Sequence, residues 1–157
     1  MSLHLERELQ VLKKKILSLS ALVEESLYNS VKATRERDEM LANSVIKTDR
    51  QVDREEVEIE EECLKLLALH QPVAIDLRFI ISVLKINNDL ERIGDHAANI
   101  AHYGIELLKL DPITFPRELD VLADRSKLML HQALESLVTL NLPMAREVCA
   151  SDHEVNE

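Results

Sequence analysis

The sequence predicts an all-α protein built of long helices, and three observations carry that prediction. Apolar residues recur at steps of three and four through most of the chain, the period of a helix face rather than of a strand. Glycine and proline, the strongest breakers of a helix, number only 2 and 4 in 157 residues. Aromatic residues contribute 3%, too few for the aromatic-rich runs that strands favour. The expected architecture is a long three-helix bundle over residues 1–110, a linker at 111–116, and the first part of a second, similar bundle over 117–157.

Leu5, Leu9, Leu12, Ile16, Leu19, Val23, Leu27 and Val31 form one apolar stripe, which makes the first helix long and amphipathic. At Arg35-Glu36-Arg37-Asp38 the stripe is lost, and Asp38 can cap a second helix carrying Leu41, Ala42, Val45, Val52, Ile59, Cys63 and Leu67. That helix should end near His70-Gln71, because Pro72 fits the first turn of a third helix and not the interior of the second. The third helix is expected to run to about Leu110, with Phe79, Val83, Ile86, Leu90, Ile93, Ala97, Ile100, Gly104 and Leu107 facing the core. Asp111-Pro112-Ile113-Thr114-Phe115-Pro116 reads as the linker. Leu119 to Val138 mark a fourth helix, and Met144 to Val155 a fifth after Asn141-Leu142-Pro143.

The helices also repeat. An offset of 103 residues places Leu27 on Leu130, Val31 on Leu134, Ala42 on Ala145, Val45 on Val148, Asp49 on Asp152 and Asp38 on Asn141. One unit is therefore three helices, and the second unit stops before its third. Leu130, Leu134 and Leu137 would then be poorly covered within one chain, so a homo-oligomer, in the simplest case a dimer, is expected.

A net charge of −10 disfavours a nucleic-acid binder and favours cationic ligands or basic protein surfaces. No apolar run approaches the ~18 residues of a membrane span, and the first residues lack a signal-peptide core, so a cytoplasmic protein without membrane insertion is expected. Cys63 and Cys149 suggest neither a disulfide framework nor a metal knuckle and read as small buried residues. No nucleophile elbow, phosphate-binding glycine loop or Glu-x-x-His di-iron pair is present, so the chain is not expected to be an enzyme.

The acids are the chemical signal. Glu91 and Asp95 lie one helical turn apart, as do Asp49 and Asp53, with Glu56 and Glu60 continuing the second row. Helices two and three are joined by a tight turn and should run antiparallel, so residues at one height share a constant sum of numbers. Asp49 with Asp95 and Asp53 with Glu91 share the same sum. Four carboxylates at one level form an oxygen-rich cluster suited to Mg²⁺, Mn²⁺ or iron. Arg50, Arg54 and Arg92 are near enough in sequence to neutralise the same acids, which would leave a solvated, metal-free face. His96 and His102 are expected at the surface or in packing roles.

Gln71-Pro72-Val73-Ala74-Ile75-Asp76-Leu77-Arg78, Leu84-Lys85-Ile86, Asp89-Leu90-Glu91-Arg92-Ile93-Gly94-Asp95 and the upstream Asp49-x-x-Val52-Asp53 together closely resemble the PhoU family of phosphate-uptake regulators. The resemblance implies paired three-helix bundles and an E(D)xxxD surface motif that holds metal, here Glu91 and Asp95 with companion acids Asp49 and Asp53. It leaves Mg, Mn, Fe and Zn undistinguished, and Asn156 stands where the second unit's companion acid is expected. It further implies a negative regulator of the phosphate-starvation response that couples the nucleotide-binding subunit of a phosphate ABC transporter to a membrane sensor histidine kinase. The alternative is a metal-free helical adaptor that only mediates protein contacts.

Overall fold

A computed structural model describes residues 3–156. They form five helices: α1 (Leu3–Glu36), α2 (Glu39–His70), α3 (Ala74–Leu107), α4 (Arg117–Thr139) and α5 (Leu142–Asn156). At about 1.5 Å of rise per residue, the 34, 32 and 34 residues of α1, α2 and α3 each span roughly 50 Å. These three pack against one another, α4 lies along α1, and α5 packs on α4. Lys13 over the Phe79 ring and Thr34 beside Gly104 show that α1 and α3 run parallel, with α2 antiparallel to both.

Two core regions stack along the bundle. Leu12, Ile16, Leu19 and Val23 of α1 meet Val52, Ile59, Cys63 and Leu66 of α2 and Phe79, Ile80, Val83 and Leu90 of α3. Beyond them the core turns to small residues: Ala33, Ala42, Val45, Ala97 and Ala101. There the helices approach closely, and the bundle tapers. On α1 the buried stripe passes from Val23 to Ser26, Ser30 and Ala33 while Leu27 and Val31 are only half-buried, because a 3.6-residue turn drifts against a seven-residue pattern.

Asp38 caps α2 as expected, its carboxylate accepting from the Leu41 amide at 2.9 Å. The repeat is visible at this junction in atomic detail. Asn141 Oδ1 accepts from the Met144 amide at 3.1 Å, Arg37 and Leu140 are both left-handed (φ 57° and 55°), and the Asp38 and Asn141 amides donate to Ala33 and Ser136 carbonyls. Each contact follows its counterpart by the offset that aligns the sequences. A left-handed residue and an Asx cap are the local chemistry that folds one helix back on the next.

Four expectations need correction. α3 begins at Ala74, not Pro72, because Gln71 closes α2 in a left-handed conformation (φ 44°) and Pro72-Val73 bridge the reversal. It ends at Leu107, where tighter turns through Leu110 take over. Cys149 is exposed on α5, whereas Cys63 is buried as expected. Leu134 is buried, and Leu130, Leu137 and Val138 pack on the main core, because α4 lies against α1. The exposed apolar residues of α4 are instead Val121, Leu122 and Leu128.

Three contacts hold α4 antiparallel to α1: Arg35 with Asp120 at 2.6 Å, Lys127 over the Tyr28 ring, and His131 with Glu24 at 3.4 Å. Arg37 Nη2 donates to the carbonyls of Leu108 and Leu110, tying the start of the linker to the α1–α2 corner. Among the described residues no helix is long and apolar enough to cross a membrane.

Candidate functional site

The acids sit where the bundle begins to taper. Gly94 of α3 faces α2, and a Cβ there would stand 3.1 Å from Val52 Cγ1 and 3.7 Å from Asp49 Oδ1. The missing side chain lets α2 come close enough to bring Asp49 against α3. Two turns away, the buried Asn87 amide donates to the Glu56 carbonyl at 2.8 Å and to Glu56 Oε1 at 3.3 Å. These contacts hold α2 and α3 in the register read from the constant sum of residue numbers.

Asp49 and Glu91 are half-buried, while Asp53 and Asp95 are exposed. Asp49 Oδ1 is shut off from solvent and has no hydrogen-bond partner. Burial first, then the charges of Asp53 and Asp95, push the Asp49 carboxyl above its ordinary range, with His102 pulling the other way. Glu91 is likewise raised, by burial and then by Asp95, Asp53, Glu56 and Asp49. The four acids therefore share one electrostatic environment. Among the described residues, Arg50, Arg54 and Arg92 form no ion pair with these four acids, while other basic side chains pair with Glu58, Asp120, Glu62 and Glu106.

This donor set fits a hard cation. It is all oxygen, carries excess negative charge and leaves one buried oxygen unsatisfied. Among the described residues, though, only His4, Glu8 and His70 bring one donor atom each within 4.8 Å of one another. The acids stand further apart and would turn inward to share an ion. His96 and His102 are both exposed. Two features went unread in the sequence. Asn87 was hidden in the polar patch Asn87-Asn88-Asp89, and the His4, Glu8 and His70 group unites the start of α1 with the end of α2, which only the three-dimensional packing of the two helices brings together.

The family model of the PhoU domain matches residues 16–104, more than half of the chain and all of the acid cluster. This chain belongs to the PhoU family. A phosphate-specific transport system accessory protein PhoU homolog from Aquifex aeolicus is 34% identical over 151 residues, 96% of this chain and 68% of the relative. The homolog from Clostridium acetobutylicum is 35% identical over 152 residues, covering 96% and 69%. The crystal structure of PhoU from Pseudomonas aeruginosa superimposes with a TM-score of 0.89 at 34% identity, over 96% of this chain and 73% of that one. The chain thus spans about two thirds of the length of these PhoU relatives, the part built from α1 to α5.

Proposed function

We infer that this chain is a regulator of phosphate uptake and of the phosphate-starvation response. The observation that carries the reading is the match of nearly the whole chain to relatives named as accessory proteins of the phosphate-specific transport system. The partners of this reading are the nucleotide-binding subunit of a phosphate ABC transporter and a membrane sensor histidine kinase, met at the inner membrane face from the cytoplasm. The exposed apolar residues of α4 are available for self-association.

In the same reading, Asp49, Asp53, Glu91 and Asp95 hold a divalent or trivalent cation. The ion would supply positive charge to a face whose carboxylates otherwise raise one another's proton affinity. Glu91 and Asp95 belong to α3, and Asp49 and Asp53 to α2. The residues therefore connect two helices of one bundle, and occupancy would fix their spacing at Gly94. The metal-free adaptor keeps one observation in its favour, the wide spacing of the acids.

A strain deleted for the gene tests the regulatory role. A phosphate-starvation reporter should stay on in phosphate-replete medium and be silenced again by the wild-type gene. Normal silencing in the deleted strain would contradict the reading. Glu91→Gln with Asp95→Asn then separates the two forms of it: the metal-dependent form requires loss of silencing, and the adaptor form requires silencing to persist.

A further inference from the structure

We propose that His4, Glu8 and His70 form a second metal site, selective for Zn²⁺ and similar nitrogen-preferring ions, that clasps the start of α1 to the end of α2. His4 and Glu8 lie one turn apart on α1, and His70 is the last residue of α2. Glu8 presents one oxygen to each imidazole: Oε2 is 2.5 Å from His70 Nε2, and Oε1 is 3.5 Å from His4 Nε2. The two rings meet edge to face with centroids 5.5 Å apart. One donor from each residue lies within 4.8 Å of the others, the only such group among the described residues.

The chemistry of this trio differs from that of the acid cluster. Two imidazoles and one carboxylate suit Zn²⁺, Ni²⁺ or Cu²⁺, whereas four carboxylates suit Mg²⁺ or Mn²⁺. The sites are also far apart, since His70 is roughly 25 Å along α2 from Asp53 at ~1.5 Å per residue. In a tetrahedral site with bonds of about 2.0–2.1 Å, neighbouring donors sit roughly 3.3 Å apart. The Glu8 to His4 spacing already matches that. The shorter Glu8 to His70 hydrogen bond needs to open by somewhat less than 1 Å, a side-chain adjustment.

The site is set in a partly closed corner. The Glu8 and His70 side chains are 17% and 14% exposed, and His4, at 71%, closes it from the solvent side. Three protein ligands leave a fourth position for water or for a group from a partner. The His70 hydrogen bond, helped by the nearby His4 and Lys65 charges, holds the Glu8 carboxyl below its ordinary range against its own desolvation. It is therefore ionised and competent as a ligand at neutral pH. An ion here would add a bond between helix ends already joined by the Glu8 to His70 hydrogen bond and the His4 to His70 ring contact.

The test uses untagged full-length protein carrying Glu91→Gln and Asp95→Asn, so that the acid cluster does not compete. Zn²⁺ is titrated against a chromophoric chelator, with histidine ring resonances followed by NMR. One equivalent should bind, shifting the His4 and His70 rings together. His4→Ala should weaken binding roughly tenfold or more while leaving the circular dichroism melt without metal unchanged, since His4 is exposed, and Glu8→Gln and His70→Gln should do the same for binding. Zn²⁺ binding that is absent, or equally tight in His4→Ala, would overturn the proposal.

Discussion

Gly104→Ala puts the close approach of α3 to α1 to the test. A Cβ at this position would stand 2.5 Å from Thr34 Oγ1, 3.2 Å from Thr34 Cα and 3.3 Å from Thr34 Cβ. Comfortable carbon contacts begin near 3.5 Å. Rotating Thr34 would relieve only the hydroxyl contact, and it would break that hydroxyl's bonds to the Ser30 carbonyl at 2.9 Å and the Ile100 carbonyl at 3.3 Å. The contact with Thr34 Cα remains, so α1 and α3 must separate. Overpacking of this kind costs about 1–3 kcal/mol and the lost hydrogen bonding about 0.5–1.5, while replacing glycine within a helix returns about 1. The net expectation is a loss of about 1–3 kcal/mol. At roughly 2–4 °C per kcal/mol for a chain of this size, Tm falls by about 2–12 °C. Urea denaturation of both proteins measures it, and in a Thr34→Ala background the penalty should shrink by ~0.5 kcal/mol or more. A neutral or stabilising Gly104→Ala, the outcome of helix propensity alone, would refute the close approach.

Three further outcomes follow from the same structure. Asp49 and Glu91 bind a proton more tightly folded than unfolded, so in metal-free protein their contribution to stability is greatest below their ordinary values of 3.8 and 4.5 and declines as pH rises above them. With chelator present, Asp49→Asn should therefore raise Tm more at pH 7 than at pH 4, and equal shifts at both would contradict the repulsion. Asp38→Ala and Asn141→Ala each remove a helix cap and should each cost about 1 kcal/mol by denaturant titration, with no loss in either case contradicting the shared corner. Burial pushes the Cys63 thiol up to about 12, so a thiol reagent should label exposed Cys149 alone in the native state, and rapid labelling of both would show the core of α2 to be open.

The long helices were legible in the sequence because each carries an unbroken apolar stripe, and the α1–α2 corner because Asp38 is a cap with nothing competing for its role. The level pairing of Asp49 with Asp95 followed from a short hairpin, which leaves little freedom of register. What could not be read depended on contacts between helices. Whether α4 covers Leu134 depends on its docking against Tyr28 and Glu24, not on its own pattern. Asn87 looked like part of a polar patch until α2 supplied the Glu56 carbonyl. The start of α3 moved from Pro72 to Ala74 because the end of α2 claimed Gln71 for its own closure. His4, Glu8 and His70 needed the full antiparallel length of α1 and α2 to meet.

The central claim is that Asp49, Asp53, Glu91 and Asp95 bind a hard cation between α2 and α3. Mn²⁺ titration of untagged, chelator-stripped protein, with the free ion followed by its paramagnetic resonance signal, tests it most directly because Mn²⁺ favours carboxylates over the imidazoles of His4 and His70. Saturable binding by the parent, weakened roughly tenfold or more in Glu91→Ala with Asp95→Ala, is the predicted result. Equal binding by parent and variant would contradict the account.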